Sequence, residues 1–230
     1  MTADEQKKAV GDAAMRYVKD GMKVGLGTGS TAAWFVRAIA AAVTDGMTLT
    51  LVSTSVQTTQ LAQSLGLTIK DINDVGALDV CVDGADEVGP GLALIKGGGG
   101  ALLREKLIWE QAKTCVVIAD AGKVVDTLGK FALPIEVEPF AYKGTVNRIA
   151  DVLAEFDIAM LPVMRKKDGQ PFVTDGGNLI FDIACGRIED PVGLAHALKS
   201  VTGVVDHGLF LDLAEVALIG GPDGVRTLEP

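Results

Sequence analysis

Residues 25–31, Gly-Leu-Gly-Thr-Gly-Ser-Thr, stand between a short apolar segment (22–26) and an apolar, helix-forming run (32–43). A strand that ends in a glycine-rich turn and feeds straight into a helix is the building unit of an α/β layer. The unit recurs along the chain. Residues 48–52 alternate as a strand, and Ser53-Thr54-Ser55 caps a helix that runs to Leu65 and is stopped by Gly66. Apolar segment 78–82 delivers the acids of residues 83–87, and segment 114–119 delivers Asp120-Ala-Gly-Lys123. Upstream, Thr2 and Glu5 have capping-box spacing, which predicts a helix over 3–19 ended by Gly21. This alternation over residues 1–130 predicts a mostly parallel sheet with flanking helices, Rossmann-like in plan.

The pattern changes after residue 130. Residues 133–139, bracketed by prolines, read as an edge strand. A helix over 143–156, strands over 158–165 and 178–184, a helix opened by Asp190-Pro191 and a strand over 204–211 complete a βαββαβ order, which is ferredoxin-like. Segments 215–219 and 225–228 resume the apolar strand pattern and are expected to return to the first sheet. The expected division is therefore an α/β domain of residues 1–130 and 207–230, with a smaller α+β domain, 131–206, inserted.

The chain of 230 residues is 48% hydrophobic and 22% charged, enough for a sizeable core. A net charge of −9 disfavours nucleic acid and anionic membrane surfaces as partners, so an anionic ligand would need a local cluster of donors. Cys81, Cys115 and Cys185 lie far apart in apolar runs and read as reduced core residues. The polar N-terminus and the lack of a long uncharged apolar run lead to the expectation of a cytoplasmic protein with no membrane partner.

Four loops carry chemistry. The 25–31 loop misses the dinucleotide fingerprint, because Ser30 replaces the final glycine, and misses a Walker loop, because it has no lysine. What remains is a small anion cradle around Gly29 with hydroxyls from Thr28, Ser30 and Thr31, or else a tight turn with a hydroxyl N-cap. Asp83, Asp86 and Glu87 follow a buried strand, where acid/base work, a cation site and a solvated loop all remain open. Acid/base work is favoured over a metal, because the neighbouring loops supply lysine and glycine and no further oxygen ligands. In the third loop Lys96 enters four glycines (97–100), and a helix-forming run from Ala101 carries Glu105. Glycine N–H groups at a helix N-terminus suit a developing oxyanion, with a cation and a base close by in sequence; the alternative is a flexible linker. The fourth loop contributes Lys123, an anion ligand or a solvated lysine. His196 and His207 read as structural. No nicotinamide, flavin, pyridoxal or metal signature is present, so the residues point to a cofactor-free isomerase of a sugar phosphate.

The motifs Gly25-Leu-Gly-Thr-Gly-Ser-Thr31, Val82-Asp-Gly-Ala-Asp-Glu87, Ile95-Lys-Gly-Gly-Gly-Gly-Ala-Leu-Leu-Arg-Glu-Lys106 and Ile118-Ala-Asp-Ala-Gly-Lys123 closely resemble the type A ribose-5-phosphate isomerases. The likeness extends through residues 128–131, 174–178 and 216–224; Gly100 departs from it, where alanine is often found. It implies interconversion of D-ribose 5-phosphate and D-ribulose 5-phosphate through an enediolate, in the non-oxidative pentose phosphate pathway and without a cofactor. By the same resemblance Glu105 is the general base, Lys96 with the N–H groups of Gly97, Gly98 and Gly99 stabilises the enediolate, and Asp83 shuttles a proton. Gly84, Ala85 and Asp86 join Asp83 around the sugar. Ser30, Thr31 and Lys123 bind substrate, assisted by Thr28, Gly29 and Lys7. A homodimer or homotetramer, assembled through the smaller domain, is also implied. A sugar-phosphate sensor, a CoA transferase and a deaminating isomerase are the competing readings. The first would carry a DNA-binding helix pair, the second a longer chain and the third a catalytic histidine, and none of these is evident.

Overall fold

The N-terminal capping box forms. Thr2 Oγ1 accepts the Glu5 N–H at 3.3 Å, and Glu5 Oε2 takes the Thr2 N–H at 2.6 Å. Those bonds hold the Glu5 carboxyl below its usual range. Helix Ala3–Ala14 follows and closes in a 3-10 turn, Met15–Tyr17. It stops short of residue 19 because Val18 is already extended, at φ −106° and ψ 131°. The computed structural model describes residues 1–230 in two units, one of residues 1–85, 104–124 and 212–230, the other of residues 86–103 and 125–211. The segment 86–103 thus goes with the second unit, although the sequence reading kept it with the first.

In the first unit six strands lie in the order Gly224–Leu228, Val216–Gly221, Cys115–Asp120, Val80–Gly84, Lys23–Leu26, Thr50–Ser53. The outermost pair, 216–221 with 224–228, is an antiparallel hairpin, and every other neighbour is parallel. The C-terminal segments do return to this sheet. Helices Ala3–Ala14 and Ala32–Thr44 supply Val10, Ala14, Phe35, Val36 and Ile39 to a core shared with Leu26, Val82, Val116, Ile118 and Leu218. Each Val, Leu, Ile or Phe among them contributes roughly 1.5–3 kcal/mol by leaving water. A Cβ on Gly11 would lie 2.8 Å from Trp34 Cβ, so glycine lets the two helices cross this closely. From strand 23–26 the chain passes to strand 50–53 on one side and returns at strand 80–84 on the other. That reversal makes the carboxyl edge between 23–26 and 80–84 a topological switch point, where ligands bind in open α/β sheets.

In the second unit strands Val204–His207, Leu133–Val137, Leu179–Ile183 and Val163–Met164 form an antiparallel sheet in that order. With helices Tyr142–Glu155 and Pro191–Lys199 they make the expected ferredoxin-like unit around Ile135, Val137, Ile149, Leu153, Ile183, Leu194 and Leu198. Asp190 caps the second helix, its Oδ1 accepting the Gly193 N–H at 2.8 Å.

Three details correct the sequence reading. Strand Leu133–Val137 is not an edge strand: it lies between 179–183 and 204–207. Pro134 is tolerated because it lies near the strand's start, where its carbonyl accepts the Gly208 N–H at 2.8 Å. The strand expected over 158–165 is only Val163–Met164. The strand expected over 204–211 breaks at Gly208, after which Leu209–Phe210 pairs with Leu94–Ile95 in a separate three-stranded sheet. A Cβ on Gly208 would sit 2.3 Å from the Lys96 carbonyl oxygen, so only glycine fits this crossing. No helix is long and apolar enough to cross a membrane.

Candidate active site

In the first unit the 27–31 loop, Asp83 and the turn carrying Lys123 all emerge at the carboxyl edge of adjacent parallel strands. Asp83 is fully buried at the end of its strand, and its Oδ1 accepts the Thr28 N–H at 2.9 Å and the Gly84 N–H at 2.7 Å. Gly27 explains how the carboxylate fits between the strands: a Cβ there would lie 2.2 Å from Asp83 Oδ1. The Thr28 hydroxyl turns the other way. It is buried against Thr54 Oγ1 (2.7 Å), Ser55 Oγ (2.8 Å) and Thr58 Oγ1 (3.1 Å), and Thr58 Oγ1 donates to the Gly27 carbonyl at 2.9 Å. The cradle expected from Thr28, Ser30 and Thr31 is therefore divided: the Thr28 hydroxyl fastens the loop to helix Val56–Ser64, while Gly29 and Ser30 are exposed and Thr31 is half-buried.

Lys7, on helix Ala3–Ala14, donates to Ser30 Oγ at 3.0 Å, so the structure does bring it to this loop. A Cβ on Gly220 would lie 2.7 Å from the Gln6 carbonyl oxygen, a close approach that seats this helix on the sheet. Lys123 closes a 3-10 turn whose start is capped by Asp120, with the Gly122 N–H 3.0 Å from Asp120 Oδ1. A cavity of about 250 Å³ beside the loop is lined by Gly27, Gly29, Ala33, Arg37, Gln57 and Thr58. Glu105, the fourth residue of helix Leu102–Trp109, is only 4% exposed.

In the second unit Lys96 is 2% exposed, its Nζ 5.4 Å from the centre of the Phe210 ring. Gly97 and Gly100 have φ of +108° and +78°, a conformation that favours glycine. Asp86 Oδ2 accepts the Gly98 N–H at 2.7 Å, and the Gly100 N–H closes a turn onto the Gly97 carbonyl at 2.9 Å. The glycine run is thus a pinned loop and not a linker. Glu87, the third acid of the 83–87 group, is buried and holds the backbone of the 128–131 segment, accepting from Gly129 N at 2.8 Å and Phe131 N at 2.5 Å. Each of these acids accepts from backbone N–H groups. No group of three or more His, Cys, Asp or Glu side chains is placed to hold a metal ion. Gly84 and Ala85 are half-buried beside Asp83, and Gly98 and Gly99 are exposed.

Sequence reasoning missed Arg165. Its Nη1 donates to the carbonyls of Gly97 (2.8 Å) and Gly98 (3.1 Å), while Nε and Nη2 form a two-point pair with Asp182 (2.8 and 2.5 Å). No local signal marks it, since Arg165 is 67 residues from Gly98. Asp206 and His207 also form a buried pair of turns, with Lys199 Nζ 3.0 Å from Asp206 Oδ2, which supports the structural reading of His207. The three cysteines are free thiols, and burial pushes Cys185 up to about 11.

The family model of ribose 5-phosphate isomerase A (phosphoriboisomerase A) matches residues 50–224. A ribose-5-phosphate isomerase A of Caulobacter vibrioides is 58% identical over 230 residues, covering all of both chains. A solved D-ribose-5-phosphate isomerase in complex with phospho-erythronic acid superposes with a TM-score of 0.93 at 38% identity, covering all of both chains. The enzyme of Methanocaldococcus jannaschii gives a TM-score of 0.91 at 35% identity, with the same full coverage. A match over most of the chain, full-length relatives and a shared fold lead to one conclusion: the chain belongs to the ribose 5-phosphate isomerase A family of isomerases.

Proposed function

We propose that this chain interconverts D-ribose 5-phosphate and D-ribulose 5-phosphate through an enediolate, with Glu105 as the general base. The observation that carries the reading is the burial of Asp83, Lys96 and Glu105, at 0%, 2% and 4% exposure. Ionisable side chains are almost never this buried unless they are paired or functional.

On the open-chain sugar Glu105 takes the proton from C2 and returns it to C1. The electron pair left behind is delocalised as an enediolate, whose oxygen charge faces the Lys96 ammonium and the glycine-loop N–H groups. Asp83, oriented by the Thr28 and Gly84 N–H groups, moves the hydroxyl proton between O1 and O2. Gly84, Ala85 and Asp86 border the sugar. Ser30, Thr31, Lys7 and Lys123 hold the phosphate end against the net charge of −9, and Thr28 and Gly29 shape that loop. The chemistry needs no metal or organic cofactor, since a carboxylate, a cation and N–H dipoles are sufficient for enolisation.

The reaction belongs to the non-oxidative branch of the pentose phosphate pathway, in the cytoplasm. Assembly as a homodimer or homotetramer through the smaller unit is supported by its exposed apolar side chains, Phe140 (84%), Leu161 (72%) and Val163 (65%).

The test is to add ribose 5-phosphate to chelator-treated protein and follow formation of the ketopentose. Glu105→Gln should lower kcat by roughly 10²–10⁴-fold with KM little changed. Near-normal turnover in that variant would remove Glu105 from the role, and activity abolished by the chelator would overturn the cofactor-free mechanism.

A further inference from the structure

We infer that Arg165, held by Asp182, is a positioning residue that fixes the glycine loop with the Gly99 N–H aimed at the enediolate oxygen; this rests on the isomerase reading above. Four consecutive glycines lose more backbone entropy on ordering than any other tetrapeptide, and Gly98 and Gly99 are exposed. A loop of this kind is a preorganised donor only if something outside it holds the peptide planes still.

The hydrogen bonds on each plane do so. The 97–98 peptide is held at both ends, its carbonyl by Arg165 Nη1 at 2.8 Å and its N–H by Asp86 Oδ2 at 2.7 Å. The 98–99 peptide is held through its carbonyl by the same Nη1 at 3.1 Å. No peptide in the chain is cis, and in a planar trans peptide the N–H points opposite to the C=O. The Gly99 N–H is therefore turned away from the guanidinium. Of the two N–H groups on these planes, that of Gly98 is engaged by Asp86, which makes Gly99 the donor that Arg165 orients.

The guanidinium is itself immobilised. Asp182 grips its far edge at two points, the Phe172 ring centre lies 6.0 Å from Cζ, and the backbone on either side is tied by Arg165 N to Ile180 O (2.8 Å) and Phe172 N to Arg165 O (2.9 Å). The ring also occupies the place of a Gly100 side chain, with Phe172 Cε1 2.4 Å from where a Cβ would be. A fixed cation on the two carbonyls additionally polarises their peptides, strengthening the N–H end as a donor. Lysine could not reproduce this, because it cannot offer one planar edge to a carboxylate and another to two carbonyls.

The experiment compares wild type, Arg165→Ala, Arg165→Gln, Arg165→Lys and Asp182→Asn for kcat, KM for ribose 5-phosphate and inhibition by phospho-erythronate, with thermal unfolding giving the folded fraction. Arg165→Gln should lower kcat about 10- to 100-fold, less than or comparable to deleting an oxyanion donor. KM should move less than about threefold, because the loop acts on the charge that develops during reaction. Phospho-erythronate, whose carboxylate stands in for the enediolate, should bind more weakly. Arg165→Lys and Asp182→Asn should fall between, and guanidinium at non-denaturing concentration should restore part of kcat to Arg165→Ala. Unchanged kcat, or a fall matched by lost folded protein with inhibitor affinity intact, would overturn the inference while leaving the isomerase reading in place. An inactive wild type would remove that reading and this inference with it.

Discussion

The Thr28 N–H and Asp83 Oδ1 are joined at 2.9 Å across 55 residues of sequence, at the edge between two neighbouring parallel strands. One backbone donor thus sets both the course of the 27–31 loop and the orientation of a buried carboxylate. The two candidate site elements of the first unit are consequently not independent, and disturbing the gap between them should damage both.

Gly27→Ala is the sharpest probe of that gap. Its Cβ would fall 2.2 Å from Asp83 Oδ1 and 2.5 Å from Asp83 Cα, so the strand end must shift. The expected cost is about 1–3 kcal/mol of stability from overpacking, together with a kcat reduction larger than the loss of folded protein explains. Steady-state kinetics beside a urea melt would check it, and a fully active, fully stable variant would contradict the close approach.

Glu87 should behave differently from Asp83 despite lying four residues away. Its carboxylate serves Gly129 and Phe131, so Glu87→Gln should cost about 2 kcal/mol through a mismatched buried acceptor. The folded fraction should retain kcat and KM. Differential scanning calorimetry with kinetics on the same sample separates the two effects.

Lys7 and Lys123 should affect binding more than turnover. Lys7 reaches Ser30 Oγ at 3.0 Å and Lys123 closes the turn after strand 115–120. Replacing either with methionine should raise KM for phosphorylated pentoses by roughly tenfold, the worth of one charge-assisted bond. The double variant should lose most of the dependence of kcat/KM on ionic strength. A KM unchanged in both single variants would return these lysines to the solvent.

Cys185 gives the chain an alkaline sensitivity. Burial raises its thiol from 9.0 to about 11, so the folded state holds this proton more tightly than the unfolded state. That contribution is fully present below pH 9 and is lost as the pH rises towards 11, by an amount on the order of 2 kcal/mol. Urea melts at the two ends of this window should show the loss in wild type and a smaller one in Cys185→Ala. For the same reason native protein should resist alkylation of this thiol at neutral pH.

Much of this was legible in the residues themselves. The strand–glycine–helix units, the capping box at Thr2 and Glu5, the Asp190-Pro191 helix start and the βαββαβ order are local signals, because backbone geometry and side-chain periodicity act over a few residues. The loops that carry the candidate chemistry were legible for the same reason: glycine, hydroxyl, acid and lysine cluster there in short runs. What needed the tertiary structure was each contact made over long sequence distances. Leu133–Val137 became a central strand because two later segments paired with it, and no proline rule within the segment could register those partners. Gly208, where the expected strand breaks, has to be glycine because Lys96 and Pro134 come too close for a side chain. Thr28 proved to be a tie into a buried hydroxyl cluster, and Glu87 an anchor for a turn 42 residues on. Arg165 looked like an ordinary strand residue until folding set it against two glycine carbonyls. The sequence by itself determined most of the strand, turn and helix segments and which of them carried reactive groups; tertiary structure decided what each of those groups would face, because a hydrogen bond depends on distance in space and not along the chain.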